Sequence, residues 1–200
     1  MRRERTRRRV LDAAFILMGH ERGLAVRIEE ICAEAGISRG TFYNYFTSLD
    51  QVFDALSFDL SHDFNSAVLA TMARMEDMAA RTDAAMRYYL ERARSNPQWG
   101  WAMVHISATG PLFGAETFAS ALATVEEGIA RGEFVIEDAR VGRDMILGTA
   151  LAAMITQLRE GADADQPQKV ARLILRALGV PDDRVTDVVS RPLPPPTLTE

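Results

Sequence analysis

Apolar positions recur at helical spacing along almost the whole chain, and no stretch alternates with the period of two that a half-buried strand needs. In the first helical stretch, about Thr6 to Glu21, Val10, Ala13, Ala14 and Leu17 form one stripe, broadened by Leu11, Phe15 and Met18, and Gly23 ends it. A short second helix spans about Arg27 to Ala35, with Ile28, Ile31, Cys32 and Ala35 on one face. Gly36 supplies the left-handed residue that stops it. Ser38 is placed to cap a third helix from Arg39 to Phe46. Ser48 and Gln51 form a capping box for a long fourth helix carrying Val52, Phe53, Leu56, Leu60, Phe64 and Val68. Further helices are predicted at about 80–94, 97–108, 114–131 and 139–160, and a last one follows Asp165 and stops at Gly179. The expectation is an all-α chain of about nine helices. It divides into a three-helix head over residues 1–47, a larger helical body over 48–185, and a Pro-rich tail over 186–200 that reads as extended and poorly ordered.

Composition narrows the function. At 48% hydrophobic and 26% charged residues, 200 residues supply a sizeable core. The single cysteine, Cys32, excludes an internal disulfide and a paired-cysteine metal site, and reads as a small buried hydrophobe. The longest nearly apolar run, Ile146 to Ile155, is too short to span a bilayer, and Asp12 interrupts the early apolar segment, so a cytoplasmic protein without a signal peptide or membrane partner is expected. Residues 1–46 hold nine Arg against six Asp and Glu, a net of +3, whereas residues 47–200 carry a net of −8. A cationic head on an acidic body fits a head that meets a polyanion, and a merely solvated basic end fits the charge equally.

The stretch GISRGTFYNYFTSLD, residues 36–50, joins the second and third helices through a Gly turn. Two short helices so joined form a helix-turn-helix unit whose second member enters a DNA major groove. Phe42 and Phe46, four apart, point inward, while Arg39 and Tyr43 share another face with Gly40, Thr41 and Asn44 beside them. Arg suits guanine and Asn suits adenine, Thr offers a hydroxyl and a methyl, and Tyr reaches a phosphate or a methyl. Gly40 lets the backbone approach the sugar-phosphate wall, and Ser38 sits near a phosphate at the helix start. Taken singly, Tyr43 and Tyr45 serve packing as readily as readout.

The run GISRGTFYNYFTSLDQVF, with the first helix and the Ile28–Ala35 stripe, resembles the signature of the TetR family of bacterial transcriptional regulators. The resemblance is close over about residues 8–56, and beyond them only helix number and length agree. It implies a homodimeric repressor whose heads sit in successive major grooves of a palindromic double-stranded DNA operator. It maps DNA contacts onto Arg27, Ser38, Arg39, Gly40, Thr41, Tyr43, Asn44 and Tyr45. Two departures stand out: Leu49 occupies the place of a usual phosphate-binding Lys, and the Thr that commonly caps the second helix is replaced by the Ala25-Val26-Arg27 segment. The cluster Arg2, Arg3, Arg5, Arg7, Arg8 and Arg9, with Arg27, is available to compensate electrostatically.

In the body, Met145, Gly148, Ala152 and Ile155 place small and flexible residues on one helical face, and Leu173, Ile174 and Ala177 with Val170 and Leu178 continue it on the last helix. Two such helices per subunit suit a four-helix dimer bundle, and an internal core is the other use of the same pattern. The resemblance also places a small-molecule inducer in the body, near Trp101, His105, Phe113, Phe118 and Met145 with Trp99, Met103 and Met154. Such aromatic and Met side chains suit a largely hydrophobic ligand. No cofactor or metal is expected, since the three His are too scattered to share a site. Catalysis finds no support: Ser61-His62-Asp63 holds triad residue types, but successive helical residues diverge. A helical small-molecule sensor or carrier without operator binding is the alternative reading.

Overall fold

The computed structural model describes residues 2–196, without the side chains of Arg2 and Ser61. These residues form ten α-helices and one 3-10 turn, with no strand among them. The head comprises α1 (Arg2–Met18), the 3-10 turn Gly23–Ala25, α2 (Ile28–Ala35) and α3 (Arg39–Tyr43). The body comprises α4 (Leu49–Met72), α5 (Met78–Ser95), α6 (Pro97–Thr109), α7 (Ala115–Ala130), α8 (Ala139–Glu160), α9 (Gln166–Ala177) and α10 (Asp182–Ser190).

The head forms because three apolar stripes meet. Val10, Leu11, Ala14 and Met18 of α1, Ile31, Cys32 and Ala35 of α2, and Phe42 of α3 are all buried in one cluster. Gly36 ends α2 at φ 60°, a left-handed position that its missing Cβ makes cheap. Arg9 reinforces that end by donating to the carbonyls of Ala35 and Gly36. Ser38 caps α3 by accepting from Thr41 N–H at 3.1 Å. At the α4 start Ser48 accepts from Gln51 N–H at 3.3 Å, and the Gln51 carboxamide accepts from Thr47 N–H at 2.8 Å, so the box closes one residue earlier than the pattern predicts.

Helix α4 is 24 residues long, so it reaches about 36 Å and links head to body. It packs on α1 of the head and on α5, α6 and α7 of the body. Helix α5 is the centre of the body, touching every other body helix. The helix α10 departs from the expected layout: Val185, Val188 and Val189 are buried against α5 and α9, so the body runs past residue 185 to Ser190. The following segment is irregular yet anchored. Arg87 donates to the Arg191 carbonyl at 3.1 Å, Tyr88 Oη donates to the Pro194 carbonyl at 2.5 Å, and Leu193 packs against Val68, Met72, Ala84 and Tyr88. Residues 197–200 of the expected tail lie outside the described residues.

Candidate nucleic-acid interface and ligand cavity

Helix α3 separates its faces as its spacing requires. Phe42 is fully buried and Phe46 nearly so, their rings 6.0 Å apart. Ser38, Arg39, Gly40, Tyr43 and Asn44 are exposed, and Thr41 and Tyr45 are half-buried. Tyr43 stays 46% exposed although its ring meets the edge of Phe42, so its hydroxyl end is presented to solvent. A Cβ added to Gly40 would approach only Ser38 Oγ, at 3.8 Å, so nothing inside the molecule requires a glycine there. Arg39 pairs with Glu29 of α2 at 2.8 Å across an exposed gap, which points the guanidinium along the helix pair. Such exposed pairs are weak and exchange readily for a stronger anion. Arg27 is exposed; its backbone N–H donates to the Glu30 carboxylate at 2.8 Å, which caps α2 in place of the usual Thr and leaves the guanidinium outside the cap.

The arginine cluster is partly committed to the fold. Arg8 bonds Asp12 at 2.9 Å and Asp59 at 3.3 Å, Arg7 lies over the Phe46 ring, and Arg9 holds the α2 carbonyls. Arg3 and Arg5 are exposed. Leu49 tucks against the core at the α4 start and supplies no cation. Burial raises the Cys32 thiol above its ordinary range, which suits an unreactive packing residue.

Within the body, a cavity of about 60 Å³ lies among α4, α5, α7 and α8. No charged side chain lines it; Val68, Met72, Met86, Phe113, Ile146 and Leu147 supply most of its apolar wall. Tyr89 stands at one end, its ring edge-on to Phe64 and Phe113 at 5.1 and 5.2 Å. Its hydroxyl shares a 2.8 Å hydrogen bond with Thr117, and burial pushes its pKa up to about 12, so it remains a neutral phenol. Buried Asn65 lies beside them and donates to Glu116 at 3.2 Å. Phe113 holds φ 60°, a position costly for a bulky residue, with its N–H donating to buried Ser107 Oγ at 3.0 Å. A larger groove of about 310 Å³ between the first half of α4 and the α6–α7 connection is lined by Asp50, Asp54 and Glu116. Its acidic lining suits a small apolar molecule less well than the uncharged cavity.

Residues 77–191 match the family described as tetracyclin repressor-like, C-terminal domain, and residues 10–56 match bacterial regulatory proteins, tetR family. The chain belongs to the TetR family. It is thus a DNA-binding regulator. Among solved structures, RolR in complex with resorcinol is similar to this TetR-family chain at 28% identity and a TM-score of 0.79, covering 98% of both chains. RolR without ligand is similar at 28% identity and a TM-score of 0.75, covering 95% of this chain and 100% of that one. The HTH-type transcriptional repressor LfrR of Mycolicibacterium smegmatis is 33% identical over 89 residues, which span 44% of each protein.

The TetR-family body places the sequence-predicted pocket residues in several locations. Phe113 lines the cavity. Trp101 and His105 do not: they stack on one another at the junction of head and body. There His105 Nε2 donates to the His20 carbonyl at 2.9 Å and Arg159 bonds Glu21 at 2.7 Å. Burial lowers the His105 pKa, so the ring is a neutral structural donor. Phe118 lies under the Arg143 guanidinium at 3.8 Å, and Met145 is half-buried on the outer side of α8, one residue before the lining Ile146. Trp99 backs Tyr89 and donates Nε1–H to the Leu60 carbonyl at 3.1 Å, while Met103 and Met154 are fully buried outside the cavity wall. The polar end built by Asn65, Tyr89 and Thr117 escaped sequence reasoning, because these residues lie on three helices and carry no local pattern.

The stripe read as a dimer face is largely uncovered. Met145, Gly148 and Ile155 are half-buried, Ala152 and Ala177 are exposed, and Leu173 is 62% exposed. Val141, 59% exposed, extends the α8 row, and a Cβ on Gly148 would meet nothing within 4 Å. Ile174 departs from the stripe: at 1% exposure it packs into the body core. Among the described residues no group of His, Cys, Asp and Glu could hold a metal, and no helix is long and apolar enough to cross a membrane.

Proposed function

We propose that the chain is a cytoplasmic homodimeric repressor that binds a palindromic operator through α3 and is released by a small, mostly apolar ligand held in the body. The observation that carries this reading is the exposed face of α3. Arg39, Tyr43 and Asn44 point outward while Phe42 and Phe46 fix the helix from behind. Gly40, which the fold does not need, leaves a gap through which backbone meets backbone. Arg27, Ser38, Thr41 and Tyr45 flank that face and are assigned supporting contacts.

The exposed apolar row on α8 and α9 supports dimerisation through Val141, Met145, Gly148, Ala152, Ile155, Leu173 and Ala177. A second copy would cover it and hold two α3 helices one DNA turn apart, about 34–36 Å. The uncharged cavity supports a small apolar effector, and the likeness to RolR, solved with resorcinol, supports the same. Wild-type protein selects its operator from a random duplex library, and footprinting then compares variants. Arg39→Ala and Tyr43→Ala are expected to abolish the footprint while leaving the dimer intact; unchanged footprints for both would overturn the proposal. Release by a hundredfold loss of operator affinity requires about 2.7 kcal/mol of coupling between cavity and α3.

A further inference from the structure

We infer that the body cavity takes a neutral, single-ring arene bearing a hydroxyl group, with the Asn65 carboxamide oxygen accepting that hydroxyl; this rests on the ligand-responsive reading above. Asn65 is only 2% exposed, and its neighbours fix its orientation. Its Nδ2 faces the Glu116 carboxylate at 3.2 Å, and a carboxylate only accepts, so Oδ1 is the atom turned toward Tyr89 and Thr117. Only one of those two hydroxyls can donate in the 2.8 Å bond they share, so the other donates its proton to Oδ1, over 3.4 Å from Tyr89 or 3.5 Å from Thr117. An amide oxygen accepts two hydrogen bonds, so one place on Oδ1 remains, and Asn65 is among the residues that line the cavity.

Charge then selects the class. No cation lines the cavity, Tyr89 is held as a neutral phenol, and Glu116 places its negative charge directly behind Asn65. A carboxylate guest would meet an acceptor backed by an anion, with nothing to offset its lost hydration. A hydroxyl donor meets a complementary partner. The Tyr89 and Phe113 rings, set edge to face, offer an aromatic guest the same geometry they adopt with each other.

Size sets the limit. A cavity of about 150 Å³ holds benzene, and this one measures about 60 Å³. One ring therefore fits only if wall side chains yield, and Met72 and Met86, unbranched and flexible, are placed to do so. A fused second ring would require the helices themselves to part.

The test is calorimetric titration of the full chain, without DNA, by phenol, toluene and benzoate. Phenol is expected to bind at least about tenfold more tightly than toluene, the worth of one ordinary hydrogen bond, and benzoate is expected to bind more weakly than either. Asn65→Leu should bring phenol to the level of toluene, whereas Tyr89→Phe should retain the preference for phenol. Toluene equal to phenol, benzoate the tightest ligand, or a preference lost in Tyr89→Phe and kept in Asn65→Leu would each overturn the inference. The wild-type comparison decides the matter even if Asn65→Leu does not fold. DNA binding by the ligand-free protein is measured separately, so failure of the regulator reading and failure of the ligand class remain distinct results.

Discussion

Gly40→Ala separates the needs of the fold from those of DNA. Gly40 is the second residue of α3 and its φ is not in the left-handed region, so an alanine adopts the same backbone without strain. The new methyl would have Ser38 Oγ as its nearest neighbour at 3.8 Å, an ordinary contact. Replacing a helical glycine by alanine under those conditions stabilises by about 0.4–1 kcal/mol, chiefly by restricting the unfolded chain. For a protein of this size that corresponds to a melting temperature about 1–4 °C higher. If α3 lies in a groove, the same methyl stands about 1.5 Å out from the backbone where it faces the duplex. Losing one base or phosphate contact there costs about 1–3 kcal/mol, roughly fivefold to 150-fold in affinity. Thermal melting and fluorescence anisotropy on a selected operator measure the two effects on the same sample. The expected outcome is a more stable protein that binds DNA less well. A lower melting temperature would show that the glycine serves the fold, and unchanged affinity would show that this face does not meet DNA.

Glu29→Ala should raise operator affinity about threefold in an anisotropy titration, because it frees Arg39 from its 2.8 Å partner and removes an anion beside the phosphates. Leu173→Glu and Ala152→Glu should convert the proposed dimer to folded monomer in sedimentation, since both side chains are exposed within one chain, whereas Ile174→Glu should unfold the protein. Arg87→Met removes the guanidinium that holds Asp83 at 3.0 Å and the Arg191 carbonyl at 3.1 Å, and should cost about 2–4 kcal/mol at pH 7 in denaturant unfolding. Burial raises the Asp83 carboxyl from 3.8 to about 6, against the attraction of Arg87. The stability from protonated Asp83 is therefore present below pH 3.8 and lost as pH rises through about 6. In Arg87→Met that loss should continue to higher pH, because the opposing cation is gone.

Local chemistry made the head legible in the sequence. Gly36, the Ser38 cap and the Phe42–Phe46 pair are encoded within eleven residues, and each acts through contacts with its neighbours in the chain. Helix existence in the body was legible for the same reason, since the 3.6-residue period records which face is covered. What covers it is not recorded there. Ile174 and Leu173 are adjacent and equally apolar, yet one is in the core and the other 62% exposed. Trp101 and His105 have the composition of a ligand site, but the docking of α1 on α6 turns them toward His20 and Arg159. The helix α10 was missed because its buried Val185, Val188 and Val189 are β-branched residues among Asp and Thr, a weak helical signal that packing on α5 overrides. The cavity end formed by Asn65, Tyr89 and Thr117 comes from α4, α5 and α7, and only the packing of those helices brings it together.

The proposed function requires that the outward side of α3 sit in the major groove, once per subunit, at two places one turn apart. Cys32 is buried and its thiol suppressed, so Thr47→Cys, at an exposed position just past α3, provides a single reactive site for an iron chelate that cleaves nearby DNA. On the selected operator, two symmetric cleavage clusters are expected, centred in successive major grooves about 34–36 Å apart. Cleavage spread evenly along a bound duplex, or centred in a minor groove, would contradict the proposed function.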